Sequence, residues 1–211
     1  MAITMEKPAV SAVATTTVAS RAHGWALRSP DQIAMREKDF GIWHEYNWAQ
    51  TWDLIEVAAH GLLALGVGVG DRVAIHSEDR PEWVLLDLAT VAVRGITVGL
   101  YPTNPMAEVE YLLGDCSPKV FFAEDQEQAD KVLEVDAVTA ASVEKILYVE
   151  PRGFADYSDP RLMFWDDFLE MGRAHRAENA TAVADLMAAA QPDDIMTLVY
   201  TSGTTGPPKG A

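Results

Sequence analysis

The stretch that decides the fold is GDRVAIHSEDRPEWVLLDLATVAVRGITVGL, residues 70–100. Within it, Arg72–His76 is a short apolar run typical of a buried strand. Pro81 then opens a helical pattern that extends to about Val93, because proline is favoured in the first turn of a helix. Ile96–Leu100 is a second apolar run of strand length. A strand, a helix and a strand at this spacing predict a βαβ unit.

The same alternation of strand-like runs and helical patterns continues on both sides of this stretch. Before it, we predict a helix at 18–27, a hairpin of strands at 33–37 and 43–48, and a long helix that has Thr51 as its N-cap and ends at Gly66. After it, we predict helices at 105–113, 126–135, 164–171 and 180–190, strands at 119–123, 145–149 and 195–200, and a surface loop at 151–160. The sequence therefore predicts an α/β fold, with βαβ units around a mostly parallel sheet.

Length and charge narrow the classes of protein. The 211 residues allow one large domain or two small ones, and we expect one domain at 18–211 after a flexible tail at 1–17. Asp and Glu outnumber Lys and Arg by 32 to 16, which gives a formal net charge of -16. Because an acidic surface repels nucleic acids and anionic lipids, we expect neither to bind by charge. A small anion is not excluded, since a local loop can bind phosphate against the overall field.

Cysteine and histidine indicate no catalytic or metal site. Cys116 is the only cysteine, so no internal disulfide forms, and it lies in a predicted turn at 114–118 without a histidine motif beside it. We therefore do not expect a catalytic thiol. The five histidines lack helical metal-ligand spacing and are expected to be surface or packing residues: His23, His44, His60, His76 and His175.

The sequence shows no membrane-spanning or export segment. A spanning helix would need an apolar run of about 18 residues, and none exists. The mildly apolar segment 9–20 follows Glu6 and lacks the Leu- and Ile-rich core of an export signal. We therefore expect a cytoplasmic protein.

The segment that carries the chemistry is YTSGTTGPPKGA, residues 200–211. Its glycines, at 203, 206 and 210, permit backbone conformations that are closed to other residues. Thr201, Ser202, Thr204 and Thr205 add hydroxyl donors, and Lys209 adds a positive charge. Donors and one cation directly after a predicted buried strand suit a polyphosphate.

Two other interpretations of this segment are weaker. A flexible linker would need neither four hydroxyl groups nor a lysine after a strand. A Walker-type loop has four residues between its glycines and then Gly-Lys-Ser/Thr, whereas two residues separate Gly203 from Gly206, and Pro208 precedes Lys209. Prolines also lack the N–H groups that a helix N-terminus would donate. We therefore favour a phosphate-binding loop of another kind.

Residues 200–211 resemble the AMP-binding signature of the adenylate-forming superfamily, which includes acyl-CoA synthetases, luciferases and the adenylation domains of peptide synthetases. The likeness is long and ungapped, and upstream segments extend it over nearly the whole chain from about Val18. The segments that resemble the long-chain fatty acyl-CoA synthetase branch are Arg80-Pro81-Glu82-Trp83, Tyr101-Pro102-Thr103 and Lys119-Val120-Phe121-Phe122. A synthetase for a short-chain, aromatic or luciferin-like acid remains an alternative.

The resemblance implies a ligase that joins a fatty acid, or another carboxylic acid, to coenzyme A with ATP and Mg²⁺. The carboxylate attacks the α-phosphate of ATP to give an acyl-adenylate and pyrophosphate, and the thiol of coenzyme A then displaces AMP. Carried over from the family, the residues that contact the β- and γ-phosphates are Thr201, Ser202, Gly203, Thr204, Thr205, Gly206 and Lys209. Fixed donors and a cation at the leaving phosphate are the electrostatic contribution expected of them.

Other segments of the family are not found in these 211 residues. They are an aromatic-Gly-x-Thr-Glu segment for adenine and metal, an aspartate for the ribose, a hinge, and a small C-terminal domain with the adenylation lysine. The resemblance thus implies an incomplete N-terminal domain without a catalytic residue of its own. We expect it to be inactive alone and to fold weakly, because strand edges stay unpaired. Two alternatives are half of a split ligase, completed by a C-terminal fragment, and a non-catalytic piece that docks onto a ligase.

Overall fold

The structure, a computed structural model, describes residues 17–201 and 208–211. Helices and strands alternate through most of this part of the chain. In chain order they are α1 (Val18–Arg28), β1 (Ile33–Asp39), β2 (Ile42–Asn47), α2 (Trp48–Ala64), β3 (Arg72–His76), α3 (Pro81–Ala92), β4 (Ile96–Leu100), α4 (Met106–Cys116), β5 (Val120–Ala123), α5 (Gln126–Leu133), β6 (Lys145–Tyr148), β7 (Leu162–Phe164), α6 (Trp165–Glu178), α7 (Ala182–Ala188), β8 (Thr197–Leu198), β9 (Tyr200–Thr201) and β10 (Lys209–Gly210).

Six of these strands form one sheet in the order β7-β6-β5-β3-β4-β8. Every neighbouring pair in it is parallel. The strands at 72–76 and 96–100 pair directly, with α3 as the crossover between them. The predicted α/β architecture, with βαβ units around a mostly parallel sheet, is therefore confirmed.

Helices cover both faces of this sheet, and the side chains of each strand alternate between them. On β3, Val73 and Ile75 belong to the core cluster that includes residues of α2, α3 and α6. Ala74, between them, belongs to the cluster that includes residues of α4 and α5. Phe122 and Phe121 of β5 divide between the two clusters in the same way. Burial on both faces explains why the central strands are apolar without alternation.

The predicted hairpin before the sheet is present, but the predicted N-cap of the helix after it is wrong. Strands β1 and β2 are antiparallel. Helix α2 begins three residues before Thr51, and Asn47 is its N-cap. The Asn47 side chain accepts from the Gln50 N–H at 2.8 Å, and the Gln50 side chain accepts from the Asn47 N–H at 3.0 Å. This capping box satisfies two free N–H groups, whereas Thr51 is buried within the first turns of the helix.

Two helix ends and one strand also differ from the prediction. Residues 114–116 continue α4 instead of forming a turn, so that Cys116 is the last helical residue and Ser117 adopts the left-handed C-cap conformation, with φ of 45°. Helix α6 extends seven residues beyond 171, to Glu178. Strand β7, which was not predicted, lies at the edge of the sheet beside β6.

The predicted buried strand at 195–200 is also wrong in its extent. Only Thr197 and Leu198 pair with β4. Ile195 and Val199 are 59% and 50% exposed, respectively. The run lies at the edge of the sheet, where one side has no neighbouring strand among the described residues. The apolar composition of residues 195–200 correctly indicated a strand, but it did not show that the strand would be short and partly exposed.

Candidate functional site

The predicted phosphate-binding segment lies between two short strands, β9 and β10, which pair antiparallel. The pairing is extended by two hydrogen bonds between Val199 and Ala211, whose N–H groups each donate to the carbonyl of the other at 3.0 and 3.1 Å. Of the predicted site residues, Thr201 and Lys209 are described. The others, which lie outside the described residues, are Ser202, Gly203, Thr204, Thr205 and Gly206.

The register of this hairpin brings Thr201 and Lys209 together. Lys209 lies directly opposite Thr201, and Gly210 lies directly opposite Tyr200. Directly opposite residues of an antiparallel pair share one face. Thr201 and Lys209 therefore share a face, and both are exposed. Within the described part of the chain Lys209 makes no ion pair, so its ammonium group is available to an anion.

The opposite face of the hairpin carries Tyr200, which is 9% exposed. Its hydroxyl donates to Asp115 Oδ2 at 2.5 Å. Burial raises the pKa of Tyr200, and the hydrogen bond to Asp115 raises it further. Tyr200 therefore stays protonated at neutral pH and remains a donor.

A second tyrosine reaches the other arm of the hairpin. The Tyr111 hydroxyl donates to the carbonyl oxygen of Pro208 at 2.9 Å. Tyr111 and Asp115 both belong to α4 and are four residues apart, so they lie on one face of the helix. Both arms of the hairpin thus contact the same helix face. Sequence reasoning missed these two residues, because it placed Asp115 in a turn at 114–118 and not on the helix that carries Tyr111.

The hairpin follows the carboxyl end of β8, beside β4. In open parallel sheets, ligands bind outside the carboxyl ends of the strands. His76 closes the carboxyl end of β3 and is completely buried. Burial, and to a lesser extent the positive charge of the nearby Lys131, lower the pKa of His76 to about 4. A neutral, enclosed imidazole of this kind packs in the core between the sheet and its covering helices.

Among the described residues, neither Cys116 nor any cluster of metal-ligating side chains forms a further candidate site. Burial raises the pKa of the Cys116 thiol to about 12, so it stays protonated at neutral pH and is a poor nucleophile. Among residues 17–201 and 208–211, no group of three or more His, Cys, Asp or Glu side chains could hold a metal ion. The fold does bring His60 and His175 together, which helical spacing could not predict.

Comparison with known proteins points to one family. The family described as AMP-binding enzyme matches residues 23–211. A long-chain-fatty-acid–CoA ligase of Mycobacterium bovis is 36% identical over 181 residues, which cover 86% of this chain and 28% of that protein. A human long-chain-fatty-acid–CoA ligase is 32% identical over 180 residues, which cover 85% of this chain and 24% of that protein. The chain thus spans about a quarter of the length of the curated relatives it matches.

Solved structures of acyl-CoA ligases share the fold. An anthranilate CoA ligase in complex with anthranoyl-AMP superposes with a TM-score of 0.73 at 24% identity, over 91% of this chain and 33% of that one. A fatty acyl CoA synthetase of Mycobacterium tuberculosis superposes with a TM-score of 0.69 at 22% identity, over 92% of this chain and 33% of that one. In the part of the chain that the structure describes, no helix combines the length and the apolar character needed to cross a membrane.

Proposed function

The chain belongs to the family of AMP-binding enzymes, and on this basis we propose that its 200–211 hairpin binds the phosphates of ATP when a carboxylic acid is activated. The observation that carries the proposal is the register of the hairpin. It sets Thr201 and Lys209 on one exposed face, at the two ends of the Gly- and Thr-rich segment. A hydroxyl donor and a cation side by side are suited to a polyphosphate.

The contacts proposed for the β- and γ-phosphates are those named in the sequence. They are Thr201, Ser202, Gly203, Thr204, Thr205, Gly206 and Lys209. As pyrophosphate leaves, negative charge grows on the bridging oxygen, and a fixed ammonium group stabilises it. In this proposal Lys209 supplies that charge, while Thr201 orients the phosphate through its hydroxyl.

The complete protein would be an AMP-forming acid–CoA ligase. The acid carboxylate attacks the α-phosphorus of ATP, pyrophosphate leaves, and the thiol of coenzyme A then attacks the acyl carbon and releases AMP. Mg²⁺ in such sites is bound mainly by substrate phosphates with one or two carboxylates. Among the described residues no group of three or more His, Cys, Asp or Glu side chains could hold a metal ion, so no residue is assigned to Mg²⁺ or to coenzyme A.

A long-chain fatty acid is the proposed substrate. The support is the similarity to long-chain-fatty-acid–CoA ligases. The Arg80-Pro81-Glu82-Trp83 segment has a structural role in this fold. Arg80 pairs with Glu82 at 2.8 Å and with Glu124 at 3.4 Å, and Pro81 begins α3. Comparing the adenylation of several acids by the full-length enzyme tests the substrate class, and equal rates for acetate, benzoate and palmitate would contradict it.

We further propose that residues 1–211 do not complete the reaction alone, because the family's adenine, ribose and adenylation-lysine segments are not among them. An assay of pyrophosphate release from ATP, Mg²⁺ and palmitate measures this directly. The expected release equals that of the Lys209→Ala variant. Release that depends on Lys209 would show that the other segments are dispensable.

The binding proposal is tested by titrating the purified chain with inorganic tripolyphosphate in a calorimeter. Loss of one charge-assisted contact in Lys209→Ala is expected to weaken binding about tenfold or more. Lys38→Ala is the matched control, because Lys38 is also exposed on a hairpin strand. Equal affinities for the wild type and both variants would overturn the proposed function.

A further inference from the structure

Two side chains of α4 hold the two arms of the hairpin, one arm each. Tyr111 donates to the carbonyl of Pro208 at 2.9 Å, and Asp115 accepts from the Tyr200 hydroxyl at 2.5 Å. Because Tyr111 and Asp115 are one helical turn apart, they present a pair of anchoring groups on one face. The strands on either side of residues 202–207 are therefore attached to a single rigid element.

In the described part of the hairpin, only one face packs against α4. The ring of Tyr200 lies against Gly210, where an added Cβ would be 3.2 Å from Tyr200 Cζ. Tyr200 and Gly210 form the face that is turned toward α4. Thr201 and Lys209 form the other face and are exposed. Fixing the Tyr200 face against α4 therefore also fixes the direction of Thr201 and Lys209.

We infer that Tyr111, Asp115 and Tyr200 are positioning residues, which hold Thr201 and Lys209 together toward the phosphates of a nucleotide. The inference rests on the proposed function and names residues that act through the hairpin. A free hairpin of two-residue strands would have to be ordered when the ligand binds, and that ordering would weaken affinity. The contacts from α4 order it beforehand.

For Asp115→Ala, the charge of the residue and its positioning role predict opposite changes in the affinity for polyphosphate. A carboxylate near the hairpin repels a polyphosphate, so on charge alone Asp115→Ala would tighten binding. The inference predicts weaker binding instead, because Tyr200 loses its acceptor. Asp115→Asn keeps an acceptor oxygen without the charge and is expected to bind about as tightly as the wild type.

The first experiment measures the affinity of the 211-residue chain for inorganic tripolyphosphate by calorimetry. Tyr200→Phe, Tyr111→Phe and Asp115→Ala are each expected to weaken binding about threefold to tenfold, the effect of one hydrogen bond. The controls are Tyr101→Phe, an exposed tyrosine, and Glu110→Ala, an exposed acid on α4. Neither control is expected to weaken binding.

The second experiment follows the hairpin itself without ligand. Amide hydrogen exchange of Val199 and Ala211, which donate to each other across the arms, is measured by NMR. Exchange is expected to be faster in Tyr200→Phe and Asp115→Ala than in the wild type and the two controls. The conservative Tyr→Phe changes decide the matter if Asp115→Ala does not fold.

The outcomes separate this inference from the proposed function. If the wild type binds tripolyphosphate through Lys209 but the three positioning variants bind equally well, the inference alone is overturned. If the wild type does not bind and Lys209→Ala changes nothing, the proposed function and the inference both fall. Weaker binding by the positioning variants, with faster exchange at Val199 and Ala211, supports both.

Discussion

The Nδ1 atoms of His60 and His175 lie 2.9 Å apart where α2 packs against α6. His60 is completely buried on α2. Only one of the two nitrogens can donate in this contact, and the other must be unprotonated to accept. Burial lowers the pKa of His60, and His175 lowers it further, while Glu56 opposes them. The pair is therefore stable only while at least one ring is neutral.

Acid is expected to weaken this contact between the helices. Because the folded pKa of His60 lies below the unfolded value of about 6.5, its stabilising contribution is complete above that pH and is lost as the pH falls. Urea unfolding at pH 7.5 and 5.5 measures the loss. We expect a smaller difference between the two pH values in His175→Ala than in the wild type, and no such change in His44→Ala, whose side chain is exposed. An unchanged difference in His175→Ala would refute the assignment.

Helices α2 and α6 also meet at a glycine that leaves no room for a side chain. A Cβ on Gly172 would lie 2.2 Å from the carbonyl oxygen of Val57, which belongs to the backbone of α2. We therefore expect Gly172→Ala to reduce the free energy of unfolding by about 1–3 kcal/mol, because the helices must move apart. Denaturant titration at neutral pH measures this change.

The matched control for Gly172 is Gly114, which lies within α4. A Cβ there would have its nearest neighbour, Thr139 Cγ2, at 3.5 Å, an ordinary contact. Gly114→Ala should therefore raise the free energy of unfolding by about 0.5–1 kcal/mol through helix propensity alone. If both variants shift in the same direction, the close approach of α2 and α6 does not limit stability.

The N-terminus of α2 provides a third prediction. Asn47→Ala removes the acceptor of the Gln50 N–H, and we expect the free energy of unfolding to fall by about 1 kcal/mol. Gln50→Ala removes only the reciprocal bond to the Asn47 N–H and should cost less. Thermal unfolding of the two variants beside the wild type gives the comparison. A larger loss in Gln50→Ala would show that the capping box acts differently.

The central strands of the sheet could be predicted because their signals are local. The strand at 72–76, its following helix and the strand at 96–100 each follow from apolar periodicity and from Pro81. The cap of α2 was misassigned because both Asn47 and Thr51 have suitable side chains, and only the reciprocal bond with Gln50 distinguishes them. A local sequence pattern does not show which of two candidate N-cap residues begins the helix when they lie about one turn apart.

The candidate site could be predicted only in part, because its support is not local. The Gly- and Thr-rich segment was visible in the sequence, and so was Lys209. The contacts that attach the hairpin join Tyr111 to Pro208 and Asp115 to Tyr200, across 97 and 85 positions of the chain. The pairing of His60 with His175 spans 115 positions. No sequence period reports contacts of this range, and only the packed helices bring these residues together.

His76 is completely buried at the end of β3, beside the ring of Phe121. Its pKa falls to about 4 through burial, with a further contribution from Lys131. His76 is therefore protonated near pH 6.5 in the unfolded chain, but only near pH 4 in the folded protein. The stabilising contribution of neutral His76 is complete above pH 6.5 and is lost as the pH drops toward 4, by about 3 kcal/mol.

Replacing His76 with leucine removes this titration while keeping an apolar side chain in the enclosed space. Melting temperatures of the wild type should fall between pH 6.5 and 4.5, and those of His76→Leu should fall less steeply. His44→Leu serves as the control, because it removes an exposed histidine from a strand and should retain the slope of the wild type. Equal slopes in all three proteins would mean that His76 is protonated alike in the folded and unfolded chains. In that case burial would not shield the His76 side chain from protonation in the folded protein.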